Sequence, residues 1–239
     1  MPKSYLEPSE IDMLEKAATN LRDRLLIRVL FHVGCRVSEA LSLEVKDVDF
    51  ERANITIEHL KLRIQISCPR CGARLAKSYS FCPKCSERVE ETVAKEQEHR
   101  KVRALPIDKD TLAMLKNYSD GGGPVLRDSK RLLFGINRHR AWQVVTECAR
   151  RARLPKLVNP ETGKVHNISP HRLRDAFAIN ALKIDNTGEG QRFLQEHLGH
   201  SSFNTTAKYR KVAGEELKDW YDKLWQKEVK PESDGNSTQ

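Results

Sequence analysis

The sequence predicts a mainly helical α+β domain with a small antiparallel sheet and one inserted four-cysteine module. Apolar residues recur at helical spacing over most of the chain, which is typical of amphipathic helices. Only two segments, 54–58 and 102–107, show the alternation or β-branched content of strands. The clustered cysteines lie between these two segments, so we expect a hairpin whose connection carries the insertion.

Three helices are predicted before the first strand. Ser9 and Asp12 resemble a capping box, which predicts that a helix begins at Ser9. A second helix is predicted over about 22–33, because its apolar residues share one face. Gly34 ends this helix, and a short third helix is expected at 38–43.

The chain after the second strand is predicted to be helical apart from a glycine-rich loop at 121–124. The helices are expected at 108–118, 137–153, 171–182, 190–198 and 215–227. We find no internal repeat. The polar stretch 228–239 has nothing to bury and is predicted to be disordered. The expected organisation is therefore one domain over 1–227, an insertion at 66–92 and a tail.

Composition excludes some classes of protein and favours others. The 239 residues are 38% hydrophobic and 31% charged, as in a globular protein. No run of about 18 apolar residues occurs, so we expect no membrane span. The N-terminus lacks the apolar stretch of a secretory signal, and we expect a cytoplasmic protein. The formal net charge of +9 favours a polyanionic partner such as nucleic acid.

The four clustered cysteines predict a structural zinc site. Cys68 and Cys71 form one CxxC motif, and Cys82 and Cys85 form another ten residues later. Thiolates at this spacing close a tetrahedral Zn²⁺ site, which leaves no open position for catalysis. A redox CxxC is the alternative, but it requires a βαβ unit that this sequence lacks. Basic residues surround the cysteines, and they either contact DNA or are simply solvated: Arg70, Arg74, Lys77, Lys84 and Arg88.

Four short motifs together carry phosphoryl-transfer chemistry. They are GCRVSEALSL at 34–43, HRLR at 171–174, LGH at 198–200, and a tyrosine nine residues after LGH. Arg36 and Arg174 would neutralise charge on the non-bridging oxygens of a phosphate in the transition state. Tyrosine has a pKa of about 10, so a histidine must help to remove its proton. His171 lies three residues before Arg174 on a predicted helix, so we expect both to face the same way.

These motifs resemble those of the tyrosine recombinases, a family that includes phage and archaeal integrases and Xer proteins. The resemblance covers about 9–224, interrupted by the insertion, with the motifs in the family order and at similar spacing. It implies the DNA breaking-rejoining fold of the family's catalytic domain. It also implies cleavage and rejoining of double-stranded DNA through a 3′-phosphotyrosyl intermediate, by a homotetramer that uses neither ATP nor a catalytic metal.

The resemblance also implies a role for each site residue. Arg36 and Arg174 would bind the phosphate, and Glu39 matches an acidic residue that supports the first arginine. His171 would be the histidine before the second arginine, His200 would occupy the histidine-or-tryptophan position, and Tyr209 would be the nucleophile. The family's leaving-group acid is a lysine on a β-hairpin. Lys61 fits this role best, and Lys95 and Lys101 are the alternatives.

The chain departs from the family pattern at its start, because many members carry an N-terminal DNA-clamping domain before the catalytic one. The four-cysteine insertion is a second departure, and it could replace part of such a clamp. Three other functions compete: a non-catalytic DNA-binding protein derived from a recombinase, a type IB topoisomerase, and a zinc-ribbon adaptor for proteins. The catalytic residue types argue against the first, and the LGH-to-tyrosine pattern argues against the second.

Overall fold

The computed structural model describes residues 3–59, 63–76, 79–88, 93–97, 101–159 and 162–199. Within these ranges the chain is mainly helical, as the sequence predicts. The helices are α1 (Pro8–Lys16), α2 (Leu21–His32), α3 (Val37–Ser42), α4 (Lys109–Asp120), α5 (Arg138–Arg151), α6 (Pro170–Ile184) and α7 (Gly188–Leu198). The ends of α2 to α7 lie within two residues of the predicted ends. The helix and tail predicted at 215–239 lie outside the described residues.

Side-chain caps fix where several helices begin. Asn20, Asp108, Asn137 and Thr187 each accept a hydrogen bond from a backbone N–H in the first turn of the helix that follows. The predicted capping box of Ser9 and Asp12 is wrong, because α1 begins one residue earlier, at Pro8, and its N-cap is Glu7. Proline at the first position of that helix fixes the backbone there, and the Glu7 N–H donates to the Glu10 carboxylate at 2.9 Å.

The sheet is antiparallel and consists of β1 (Val48–Asp49), β2 (Asn54–His59) and β5 (Lys101–Pro106), in the order β1-β2-β5. The two predicted strands therefore pair, even though more than forty residues separate them in the sequence. Ile55 and Ile57 of β2 are fully buried, and Leu105 of β5 is buried on the same side. The sheet thus covers one side of the helical core.

A second two-stranded ladder, which the sequence analysis did not predict, continues the hairpin. It pairs β3 (Arg63–Ser67) with β4 (Val93–Gln97). The first ladder ends at His59 opposite Lys101, and the second begins at Arg63 opposite Gln97. Three residues of sequence separate His59 from Arg63, and three separate Gln97 from Lys101, so the two ladders have the same register. The cysteine-bearing turns start directly after β3.

The core is built around α2, which is buried on nearly every side. Leu25, Leu26, Val29 and Leu30 have no exposed surface, and they pack with residues of α1, α4, α5 and α6. Arg24, Arg28 and His32 form one narrow polar stripe of α2, and the wide apolar face opposite this stripe allows the helix to pack against several neighbours at once. A smaller apolar cluster joins α6 to α7 through Ala178, Leu182, Leu194 and Leu198, and it places the end of α7 near the end of α2.

Shorter elements complete the described residues. A 3-10 helix (Val45–Asp47) leads into β1, and two small hairpins pair β6 (Val125–Arg127) with β7 (Lys130–Leu132) and β8 (Leu157–Val158) with β9 (Val165–His166). Across the part of the chain that the structure describes, no helix is long and apolar enough to cross a bilayer.

Candidate active site

The site begins at the turn that follows α2. Gly34 adopts φ +60°, which favours glycine, and it lies against the ring of Phe177 on α6. A Cβ at Gly34 would lie 2.4 Å from that ring. The close approach brings the start of α3 next to α6, so the two motif arginines come from adjacent segments although they are 138 residues apart in the sequence.

Arg36 and Glu39 form a local pair at the start of α3. The backbone N–H of Arg36 donates to Oε2 of Glu39 at 2.8 Å, and its Nη1 donates to Oε1 at 2.9 Å. The side chain of Glu39 is only 3% exposed, whereas that of Arg36 is 32% exposed. The buried carboxylate of Glu39 therefore fixes both the backbone N–H and one guanidinium nitrogen of Arg36, while part of the Arg36 side chain is exposed to solvent.

Arg174 on α6 makes hydrogen bonds to two other segments, the turn after α2 and the end of α7. Its Nη1 donates to the carbonyl of Gly34 at 2.7 Å, and its Nη2 donates to the carbonyl of Leu198 at 2.8 Å. The same Nη1 lies 4.0 Å from Oε2 of Glu39, and the side chain is 3% exposed. The structure thus brings both predicted phosphate-binding arginines to one carboxylate.

A third arginine, which the sequence analysis missed, completes this group. Nη2 of Arg103 on β5 lies 3.1 Å from Oε1 of Glu39, and the Arg103 side chain is 11% exposed. Its Nη1 donates to the carbonyl of His197. Strand alternation was the available signal, because Arg103 shares the core-facing side of its strand with the buried Leu105 and Ile107.

Electrostatics keep Glu39 ionised. Burial alone would raise its pKa, but the backbone N–H of Arg36 and the guanidinium groups of Arg103 and Arg36 outweigh burial and hold the pKa below its usual range. Three guanidinium groups around one carboxylate leave two net positive charges, which suits a phosphate group. Burial raises the pKa of the neighbouring Cys35 thiol to about 12, so Cys35 stays protonated and uncharged.

His197 is a second residue that the sequence analysis did not single out. Its ring stacks on Phe177 at 4.9 Å between centroids, and its Nε2 lies 2.9 Å from the carbonyl of Val33. Burial lowers the pKa of His197, and the nearby Arg103 and Arg174 lower it further. The ring is therefore neutral, and Nε2 carries the proton because a carbonyl can only accept.

His171 lies in the first turn of α6 with its side chain 71% exposed, and its Nε2 is 3.6 Å from Oδ1 of Asp175. It is therefore more exposed than Arg174, which lies one turn later on the same helix. Lys61, His200 and Tyr209 lie outside the described residues, as do the side chains of Lys95 and Lys101.

The four cysteines of the insertion form a cluster that fits a metal ion. Their sulfur atoms all lie within 4.8 Å of one another. The Sγ atoms of Cys68 and Cys85 are 3.5 Å apart, and those of Cys71 and Cys82 are 3.6 Å apart. Four thiolates at about 2.3 Å from a tetrahedral Zn²⁺ would be separated by about 3.8 Å. The geometry therefore suits the predicted four-cysteine site.

The insertion contains an internal repeat, so the statement that the sequence has none is wrong. CPRCGAR at 68–74 is followed by CPKCSER at 82–88, so each copy is only seven residues long. The copies fold alike: Gly72 N–H donates to Cys68 O, and Ser86 N–H donates to Cys82 O, both at 2.9 Å. Gly72 and Ser86 both adopt positive φ, at +69° and +57°.

The model of the phage integrase family matches residues 4–79 and 87–216. This chain belongs to the phage integrase family. The only break in the match lies within the four-cysteine insertion, which is therefore where this integrase-family chain departs from the family pattern.

One relative is the tyrosine recombinase XerA of Pyrococcus furiosus, which is 25% identical over 225 residues. The alignment covers 92% of this integrase-family chain and 60% of XerA. The chain thus spans about three-fifths of the length of the archaeal relatives that it matches.

Solved recombinase structures share the fold. A crystal structure of XerA recombinase matches with a TM-score of 0.61 and 22% identity, over 94% of this chain and 66% of that one. A structure of XerH site-specific recombinase bound to a palindromic difH substrate matches with a TM-score of 0.59 and 19% identity, over 93% of this chain and 53% of that one. The predicted fold class is confirmed.

The contact between Gly34 and Phe177 gives a testable expectation. Gly34→Ala should lower the free energy of unfolding more than Gly163→Ala does, although both glycines have a similar positive φ. Gly163 has open space around its Cβ position, so only the left-handed penalty of about 1–2 kcal/mol applies there. Overpacking against Phe177 should add about 1–3 kcal/mol at Gly34. Urea unfolding of both variants measures the difference, and equal losses would contradict the close packing.

Proposed function

We propose that this protein is a site-specific recombinase that cuts and rejoins double-stranded DNA through a 3′-phosphotyrosyl intermediate. The observation that carries the proposal is the cluster at Glu39, where a buried carboxylate holds Arg36 and Arg174 next to each other. Two guanidinium groups at one point can bind both non-bridging oxygens of a phosphodiester. Membership of the integrase family supports the same chemistry.

In the proposed reaction the hydroxyl oxygen of Tyr209 attacks the phosphorus, and the bond from phosphorus to the 5′-oxygen breaks. A histidine, His171 or His200, accepts the tyrosine proton. A lysine, for which Lys61 is preferred over Lys95 and Lys101, gives a proton to the 5′-oxygen. The new phosphotyrosyl ester retains the energy of the broken one, so a 5′-hydroxyl can reverse the step without ATP or a catalytic metal.

Double-stranded DNA is the proposed substrate. The net charge of +9 and the excess of guanidinium groups at Glu39 both favour a polyanion. The XerH structure with a similar fold is a complex with its difH substrate. Strand exchange needs two duplexes, and we propose a homotetramer on DNA, as the family resemblance implies, acting in the cytoplasm.

The insertion is proposed to be a zinc ribbon that adds DNA contacts. We assign it to 66–92 within a catalytic domain of 1–227, followed by the tail 228–239. The repeat places basic residues at equivalent, exposed positions in the two turns, with Arg70 matching Lys84 and Arg74 matching Arg88. Exposed cations on a rigid turn can contact successive phosphates. The ribbon has a very small apolar core, so metal binding must supply much of its stability.

The nucleophile can be identified by trapping the intermediate on DNA. We expect wild-type protein, incubated with nicked suicide duplexes and no metal or ATP, to form a covalent adduct that survives a denaturing gel. Tyr209→Phe should form none, whereas Tyr79→Phe, which changes an exposed tyrosine of the insertion, should react as wild type does. Tight binding of duplexes by wild type without any adduct would favour a non-catalytic DNA-binding protein.

Removal of the ribbon metal should weaken DNA binding without unfolding the rest of the domain. The double variant Cys68→Ser/Cys82→Ser should lose the single Zn²⁺ that elemental analysis should find in wild type. The loss of phosphate contacts should lower the affinity for DNA. It should also make the plot of log association constant against log salt concentration less steep, by about 0.9 in slope per contact. Cys148→Ala is the control, because it removes a buried thiol outside the cluster. Unchanged DNA affinity in the metal-free variant would exclude a DNA-binding role for the ribbon.

A further inference from the structure

The C-terminal end of α7 is held by two guanidinium groups. The carbonyl of His197 accepts a hydrogen bond from Nη1 of Arg103, and the carbonyl of Leu198 accepts one from Nη2 of Arg174 at 2.8 Å. The last carbonyls of a helix have no partner within the helix, and they carry the negative end of its dipole. Positive donors at this point both satisfy the carbonyls and stabilise the helix end.

Gly199 allows Arg103 to come this close. It ends α7 in the left-handed conformation with φ +64°, and its N–H donates to the carbonyl of Glu196 at 3.0 Å. A Cβ at Gly199 would lie 2.7 Å from Nη1 of Arg103. Both the backbone conformation and the guanidinium contact therefore require glycine at the position directly before His200.

Arg103 links this helix end to the sheet and to Glu39. Its backbone pairs with Ile57 in the ladder between β2 and β5, and the same two strands lead towards the candidate lysines. Its Nη2 lies 3.1 Å from Oε1 of Glu39. One side chain thus joins the carboxylate that holds Arg36 to the backbone that immediately precedes His200.

We propose that Arg103 is a positioning residue that fixes the C-terminal end of α7, which directly precedes His200 in the sequence, relative to the arginine pair at Glu39. Arg103 acts through these two contacts within the domain, an ion pair with Glu39 and a hydrogen bond to the carbonyl of His197. The planar guanidinium presents two nitrogens in a fixed fork, so it can hold the carboxylate with one and the carbonyl with the other. The inference rests on the proposed recombinase activity, because the role of His200 is part of it.

Single-turnover adduct formation on a suicide duplex tests the inference. We expect Arg103→Gln to slow adduct formation by about 10²-fold, the effect of displacing a reacting group by roughly 1 Å, with a much smaller loss of duplex affinity, because only one of the guanidinium charges at Glu39 is removed. Arg103→Lys keeps the charge beside Glu39 but cannot bridge both partners, so its rate should be intermediate. Arg28→Gln is the matched control. Arg28 is a similarly buried arginine, and it pairs with a buried carboxylate, Glu15, which is not part of the cluster at Glu39.

A double-mutant cycle separates positioning from a general loss of stability. If Arg103 acts through His200, the variant Arg103→Gln/His200→Ala should be about as slow as His200→Ala alone. The proposal would be overturned if the rate losses of the two single variants multiplied in the double variant. It would also be overturned if Arg28→Gln slowed adduct formation as much as Arg103→Gln does.

Hydrogen exchange provides a test that does not depend on activity. Arg103→Gln should speed amide exchange at Gly199, because the helix end loses a donor, whereas Arg28→Gln should leave that amide unchanged. Unchanged exchange at Gly199 in Arg103→Gln would refute the positioning role even if the protein proved inactive. A wild type that forms no adduct, combined with faster exchange in Arg103→Gln, would refute the recombinase function and retain the structural link.

Discussion

The carboxylate of Glu39 is buried among guanidinium groups that arrive from the start of α3, from β5 and from α6. An isolated carboxylate in such a place would be strongly unfavourable, and the arginines would be equally so without it. The three segments must therefore meet for any of these charges to be accommodated. Folding of the domain and assembly of the site are consequently one event, and the separate pieces of the site cannot form alone.

This constraint explains which parts of the site are rigid and which are accessible. Arg174 and Arg103 use their donors on backbone carbonyls at the end of α7, and Arg174 also donates to Gly34 after α2. Arg36 has the greatest solvent exposure of the three, so it is the arginine that can reach an incoming phosphate most directly. Such a framework fixes positive charge before the substrate arrives, as electrostatic stabilisation of a transition state requires.

The helices and the motif arginines could be predicted because their signals are local. Helical periodicity identified α2 to α7 within one or two residues, and short motifs identified Arg36 and Arg174. Paired CxxC motifs predicted the cysteine cluster. Arg103 was missed although the pairing of β2 with β5 was expected, because no local pattern shows that Glu39 and the end of α7 lie against the core-facing side of β5. The alternating segment RIQIS at 63–67 was a local signal for β3 that the sequence analysis did not use.

The exposure of His171 could not be predicted from spacing alone. Helical geometry correctly places His171 one turn before Arg174, but whether a turn is covered depends on what packs over it. The start of α1 is a second example. Ser9 is a residue type that favours a helix N-cap, but Pro8 and the pair of Glu7 with Glu10 fix the start of the helix instead. In both cases tertiary or neighbouring contacts decided between locally acceptable alternatives.

The most direct test of the account is the rate of covalent adduct formation by Glu39→Gln, compared with Glu44→Gln. Glutamine keeps the shape and can still accept from the Arg36 N–H, but it leaves the arginines without their shared negative charge. Glu44, which pairs with Lys46 at 3.0 Å nearby, controls for the loss of one carboxylate. The account predicts a loss of about 10²-fold for Glu39→Gln, as for a displaced reacting group, with duplex affinity preserved and Glu44→Gln near wild type. Adduct formation by Glu39→Gln at the wild-type rate would contradict it.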